Sequence, residues 1–322
     1  MRRRSLVAAW TALTVLLWSR ASAHTLNVVD GDASALVSAA KRVARDNNVI
    51  LIVADTLEPG GQGNLCLSTL RDLGVTEVLL AMTGGSAPNP SVPFATQSVV
   101  LTQEPACKQP ERRRTVSCWR LFLMMELLKF DINVFISDLD VVFHFNPFTA
   151  LPEPYDVSIM SDAFNLHQTA YMNVPAGGAA FETILDPTKK IPFLWEQSVA
   201  VFNVGTMMVR STPRSMATFR VVLEVLSNSS YWEQQVVSLQ LLSFALQGAL
   251  RLRVWDPRVV MNSGFWINNK ASLRHPPVAF HASSHGDKLK AMRDFLNETY
   301  PEREPFKGMH MVDFDGPYAV KM

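Results

Sequence analysis

The strongest constraint on the fold is the alternation of short, continuously apolar runs with segments of helical spacing. Val49-Ile-Leu-Ile-Val-Ala54 contains no polar side chain, so a strand made from it must be covered on both faces. Before it, within 24–46, Ala33, Leu36, Val37, Ala40, Val43 and Ala44 recur at helical intervals until Asn47-Asn48 breaks the pattern. Leu65 to Leu73 repeats the helical pattern, Gly74 ends it, and Val75 to Met82 supplies a second buried strand. Ser98 to Thr102 reads as a shorter third strand, with loop at 84–93 and polar surface at 103–114. Val116 to Phe130 is the clearest helix, with Cys118, Trp119, Leu121, Phe122, Met125 and Leu128 on one apolar side. This rhythm predicts an α/β fold: a Rossmann-type sheet, mostly parallel, with helices on both faces.

That helix runs into Asn133-Val-Phe-Ile-Ser-Asp138-Leu-Asp140-Val-Val-Phe-His144, a run that reads as a buried strand except for its two acids. Strand side chains alternate, so Asp138 and Asp140 project from one face, about 6 to 7 Å apart at Cα. Ionised carboxylates in apolar surroundings cost several kcal/mol each unless compensated, on the order of the penalty for any buried charge. A divalent ion removes that cost, and oxygen ligands suit Mg²⁺ or Mn²⁺. The bland alternative is that the strand stops at Ser137 and the acids cap a turn. Parallel sheets bind ligands at the carboxyl ends of their strands, where these acids fall. No G-x-G-x-x-G or G-x-x-x-x-G-K-[ST] fingerprint is present, which disfavours a redox dinucleotide or a P-loop.

Composition narrows the function classes. With 30 basic and 29 acidic residues the net charge is +1, so no global field recruits nucleic acid or an anionic membrane. At 322 residues and 48% hydrophobic, the chain can bury a sizeable core. Cys66, Cys107 and Cys118 are too few for a disulfide scaffold; a Cys107–Cys118 bridge is open, and at least one thiol stays free. Arg2-Arg3-Arg4, the apolar stretch Leu6 to Trp18 and Ala21-Ser22-Ala23 form a signal peptide over 1–23, or else a short type II anchor, followed by a single domain over 24–322. Secretory-pathway entry follows, and the sequons Asn228-Ser-Ser and Asn297-Glu-Thr are compatible with it.

Further along, Tyr155 to Asp162 reads as a strand ending in an acid, and 163–192 as irregular and a candidate loop over the site. Ala200 to Arg210 is a strand carrying Asn203 and Gly205. Helices follow from Thr212-Pro to Leu226 and from Tyr231 to Ala249, the second opening with Trp232-Glu233-Gln234. Leu252 to Asp256, Val278 to His281 and Asp287 to Asn297 read as strand, short strand and closing helix.

Taken together, Phe135-Ile-Ser-Asp-Leu-Asp-Val-Val-Phe-His-Phe-Asn-Pro147, Asn203-Val-Gly205, Trp232-Glu-Gln234 and Phe280-His281 with Gly286 and Lys288 resemble the plant and algal nucleotide-diphospho-sugar transferases. That family includes cell-wall arabinosyl- and xylosyltransferases, and the match runs in order over about residues 49 to 296. The resemblance implies a GT-A fold in which Asp138 and Asp140 hold Mn²⁺, or Mg²⁺, on the diphosphate of a UDP-sugar. It further implies His281 as a third metal ligand, Asp138 also at the ribose edge, and Lys288 at the diphosphate. Asp162, Asn203, Gly205 and Gly286 fall at the donor, with Glu233 and Gln234 at the catalytic step. Each has a plainer role: a satisfied histidine, a solvated lysine, an amide bonded to backbone, a helix-start acid favoured by the macrodipole. For Asp162 the plainer role, closing a strand turn, is the slightly preferred one. Arg112-Arg113-Arg114 reads as solvated surface rather than an anion attractor, and Met124-Met125 as core. Glu233 replaces a more usual Asp, Val204 a small hydroxyl residue, and Ala282-Ser283 an amide.

The function expected is a metal-dependent glycosyltransferase of the Golgi lumen, moving arabinose, xylose or galactose to a wall polysaccharide or glycoprotein. A catalytically silent carbohydrate-binding relative is the alternative, supported by those departures. A glycosidase is less favoured, because acids two residues apart flank a glycosidic bond poorly.

Overall fold

The computed structural model describes residues 30–83, 97–100, 112–151, 154–162, 202–228, 232–283, 286–305 and 312–314. The N-terminal segment, Cys107, the loops expected at 84–93 and 163–192, and most of 103–114 lie outside the described residues.

In chain order the elements are α1 (Asp30–Val43), β1 (Asn48–Ala54), α2 (Gln62–Asp72), β2 (Val78–Met82), β3 (Gln97–Val100), α3 (Arg112–Leu128) and β4 (Asn133–Ser137). They continue with β5 (Val141–Phe143), α4 (Pro147–Ala150), β6 (Val157–Ser161), β7 (Phe202–Val209), α5 (Pro213–Asn228) and α6 (Glu233–Leu246). The last are β8 (Leu252–Trp255), β9 (Val260–Asn262), α7 (Ser263–Asn269), β10 (Ala279–His281), α8 (Lys288–Leu296) and β11 (Val312–Phe314).

Eight strands form the central sheet in the order β11-β8-β6-β7-β4-β1-β2-β3. Six run parallel; β7 is antiparallel to both neighbours and β11 to β8. Alternation along β1 explains why the sheet is buried on both sides: Val49, Leu51 and Val53 enter one core, Ile50, Ile52 and Ala54 the other. The first core is closed by α1, α3, α5 and α6. The second is closed by α2, α7 and α8 together with a three-stranded sheet, β5-β10-β9. Helices thus lie on both faces as expected, with a small second sheet sharing one of them.

Helix ends follow local chemistry. Gly74, at φ +70°, ends α2 in a Schellman motif: its N–H reaches Arg71 O at 2.8 Å and Val75 N–H reaches Leu70 O at 3.0 Å. Pro213 starts α5, where the Thr212 hydroxyl accepts from Ser215 N at 3.1 Å. Some boundaries differ from expectation. α2 begins at Gln62, β2 at Val78, and α3 covers Arg112–Leu128. Cys118 is disulfide-bonded and Cys66 is a buried free thiol.

The main correction concerns the two acids. β4 stops at Ser137, and Asp138 to Val141 is a turn closed by Val141 N–H to Asp138 O at 3.3 Å. Val141–Phe143 then leaves the central sheet and pairs antiparallel with β10. The apolar run is therefore two strands in two sheets, hinged at Asp138-Leu139-Asp140, and strand alternation is not what aligns the acids.

Candidate functional site

Three strand ends meet at one edge of the central sheet: the carboxyl ends of β4 and β6 and the amino end of the reversed strand β7. The carboxyl end of β10 joins them from the second sheet, because His281 pairs with Val141 and Ala282 N–H bonds Asp140 O at 2.9 Å. The turn after β4 places Asp138 and Asp140 against that histidine. His281 Nε2 lies 3.1 Å from Asp140 Oδ1 and 3.7 Å from Asp138 Oδ2. One ligand atom from each of the three falls within 4.8 Å of the others.

Cations surround these acids. Lys288, at the start of α8, donates to Asp140 Oδ2 at 2.6 Å. Arg120 on α3 pairs with Asp138 through Nη1 and with Glu233 through Nη2, the latter at 3.0 Å. Asp140, Arg120 and Glu233 have side chains at most 7% exposed, so screening is slight and each charge needs its partner. Burial alone raises the Asp140 carboxyl, but His281 and Lys288 hold it well below the usual carboxylate range. Burial opposes charge on His281 too, and Asp140 and Asp138 outweigh it, raising the imidazole above its ordinary value. Three acids therefore face three cations.

The amino end of β7 is irregular. Ile159 pairs with Met207 but the next residue, Met160, pairs with Asn203, so Val204, Gly205 and Thr206 have no partner on β6. The Gly205 N–H donates to Asn203 Oδ1 at 2.9 Å, and Gly205 O accepts from Asp138 N at 2.9 Å. A Cβ on Gly205 would collide with the His281 ring and stand 2.6 Å from Asp138 Oδ2, so only glycine lets these two groups approach. Asp162, just past β6, accepts from Asn203 Nδ2 at 3.1 Å and from Gln234 Nε2 at 3.2 Å.

The site residues expected from sequence thus converge, with one exception. Gly286 lies two residues before Lys288 in open space, and no packing requires glycine there. Val204 is buried in the helix-side core rather than facing the acids, and Glu233 reaches Arg120 with its longer side chain. Arg120 was not anticipated. Its signal is a charge inside an apolar run of α3, beside Trp119, Leu121, Leu123 and Met124, a position that demands a buried partner.

His281 Nδ1, Arg120 Nε and Glu233 Oε2 are buried with no hydrogen-bond partner among the described residues. Such orphaned atoms are rare in a complete structure and mark places where a ligand would bond. Two carboxylates with one imidazole are hard to borderline donors, a set that fits Mn²⁺ or Mg²⁺.

The site thus sets paired acids at the carboxyl edge of a mostly parallel sheet, with a histidine supplied by a second small sheet. The family profile of the nucleotide-diphospho-sugar transferases matches residues 101–295, more than half of the chain, and the chain belongs to that family. It is 30% identical over 187 residues to Arabidopsis thaliana arabinosyltransferase RRA2, covering 55% of this chain and 42% of that protein. Arabinosyltransferase RRA1 of the same plant is 30% identical over 192 residues, 56% of this chain and 46% of its own. The chain therefore spans less than half the length of these curated relatives. A solved galactosyltransferase, LgtC in complex with donor and acceptor sugar analogs, is similar at TM-score 0.47 and 10% identity, over 77% of this chain and 94% of that one.

Proposed function

We propose that this chain is a divalent-metal-dependent glycosyltransferase that moves a sugar from a UDP-sugar to a carbohydrate or glycoprotein acceptor. The observation that carries it is the convergence of Asp138, Asp140 and His281 within 4.8 Å at the carboxyl edge of the sheet. These three would hold Mn²⁺ or Mg²⁺, which when bound supplies Lewis-acid stabilisation of charge building on the departing diphosphate. Lys288 is 37% exposed on a flexible stem, so it can exchange Asp140 for diphosphate oxygens as a point charge. Arg120 holds Asp138 and Glu233 at a fixed separation. Asn203, Gly205, Asp162, Glu233 and Gln234 line the sugar side, offering amide, carboxylate and backbone groups to hydroxyls. Because these donors and acceptors are held before substrate arrives, little reorganisation is needed in the transition state.

The names of the curated relatives favour arabinose as the sugar, with xylose or galactose as further members of the class. The acceptor belongs among wall polysaccharides and hydroxyproline-rich glycoproteins, and the compartment is the secretory pathway, the Golgi lumen in particular. No described helix is long and apolar enough to cross a membrane. Residues 24–322 act as one domain in this proposal. Against a catalytically silent relative, the unusual Val204 does not face the acids, and Glu233 keeps a buried cationic partner.

The test is UDP release by the purified chain from a panel of UDP-sugars, with Mn²⁺ and with EDTA, beside Asp140→Ala. Turnover that requires the metal and disappears in the variant is expected. Absence of release from every donor, with no UDP or Mn²⁺ binding by calorimetry, would leave the fold as a carbohydrate-binding scaffold.

A further inference from the structure

We infer that Asp162 is a positioning residue that dictates which end of the Gln234 amide faces the substrate. This deepens the transferase function proposed above and rests on it for the meaning of that amide.

Hydrogen-bond direction carries the inference. A backbone N–H can only donate, so the 2.9 Å contact from Gly205 N fixes the Asn203 atom facing it as Oδ1. Asn203 must then turn Nδ2 outward, and that nitrogen meets Asp162 Oδ1 at 3.1 Å. An ionised carboxylate only accepts, so its other oxygen, 3.2 Å from the Gln234 amide, selects Nε2 there as well. Asp162 and Gln234 are 8% and 5% exposed, so water competes weakly for these bonds. The carbonyl oxygen of Gln234 is the atom left over, with no partner among the described residues. Gln234 is directly preceded by Glu233, whose carboxylate is held by Arg120, which in turn holds Asp138. Hydrogen bonds thus run from Gly205 through Asn203 and Asp162 to Gln234, and ion pairs from its sequence neighbour Glu233 through Arg120 to Asp138, whose N–H returns to Gly205 O. Along Gly205, Asn203, Asp162 and Gln234 each amide orientation is set by the bond before it. The outcome is a hydrogen-bond acceptor, not a donor, presented to a sugar hydroxyl.

Replacing Asp162 by its isostere separates this from a merely structural role. In Asp162→Asn, Asn203 still demands an acceptor because Gly205 still fixes it. The new Nδ2 must therefore face Gln234, which would rotate and present N–H where its oxygen stood. The isostere should consequently be no better than Asp162→Ala, whereas a residue needed only for packing would tolerate Asn far better than Ala. With the full-length chain, kcat for transfer in D162N should fall by about one to two orders of magnitude while the Kd for UDP stays within about threefold. In a Gln234→Ala background D162N should have no further effect, a comparison that holds even if D162A fails to fold. Side-chain amide NMR reads the clamp without turnover: the Gln234 NH₂ pair, assigned by its loss in Q234A, should shift in D162N while the Asn203 pair keeps its shifts. If wild type transfers sugar and D162N matches it, with the Gln234 amide unmoved, the inference is overturned and the transferase stands. If wild type turns over no donor yet the amide responds, the clamp stands and the transferase function falls.

Discussion

Arg120 shows how one residue can govern a site that sequence assigns to others. Its guanidinium is the only described cation touching both Asp138 and Glu233, and burial leaves Glu233 no equivalent solvent partner. Arg120→Met would strand a buried carboxylate, so a loss of about 3 to 5 kcal/mol in unfolding free energy is expected from denaturant titration. Adding Glu233→Gln should recover a substantial part of that stability while transfer stays abolished; additive losses would show that the two do not interact. The acids themselves were legible, because two carboxylates in an apolar run require compensation. Their partners were not, since Arg120 and Glu233 are 113 positions apart, and Lys288 and Asp140 are 148. Nothing local marks which distant charge will arrive.

At the level of elements, the packing of β5 and α8 depends on a neutral histidine. His144, at the end of β5, lies 4.7 Å from the Phe295 ring of α8, which stacks on Phe280 of β10 beside His281. Burial pushes His144 down to about 4 from an ordinary 6.5. Its folded value is thus below its unfolded one: the unfolded chain takes up the proton first, and stability falls as pH drops from about 6.5 through 4. The full loss is about 2 to 3 kcal/mol from one such group. Thermal unfolding of His144→Phe across that window should show a shallower decline than wild type, and an equal decline would place the pH sensitivity elsewhere. Long elements such as β1, α3 and α6 were legible from periodicity alone. β5 and β9 were not, because three-residue strands carry no period, and the change of sheet at Asp138-Leu139-Asp140 happens within one apolar run.

For the whole molecule, the edge that gathers Asp138, Asp140, His281 and Lys288 joins the two sheets, so a ligand bound there ties the two halves of the second core together. A ligand that binds only the folded state stabilises it by mass action, about 2.7 kcal/mol at a hundredfold excess over Kd. Adding Mn²⁺ with UDP at that excess should raise the unfolding midpoint by about 5 °C in differential scanning calorimetry, reversed by EDTA and absent in Asp140→Ala. No shift in wild type would contradict the proposed metal centre. What sequence determined by itself was the α/β alternation, the double-sided burial of the central strands and the presence of two acids needing a cation. These depend on periodicity and on the cost of buried charge, both properties of a few neighbouring residues. Tertiary structure decided how the acids converge, through a turn between sheets, and which cations balance them. It also decided that the bare Gly205 lets His281 and Asp138 approach, and that Asn203, Asp162 and Gln234 meet. Those outcomes depend on contacts between residues far apart in the chain, whose strength is set by a dielectric environment that exists only once the sheet has closed.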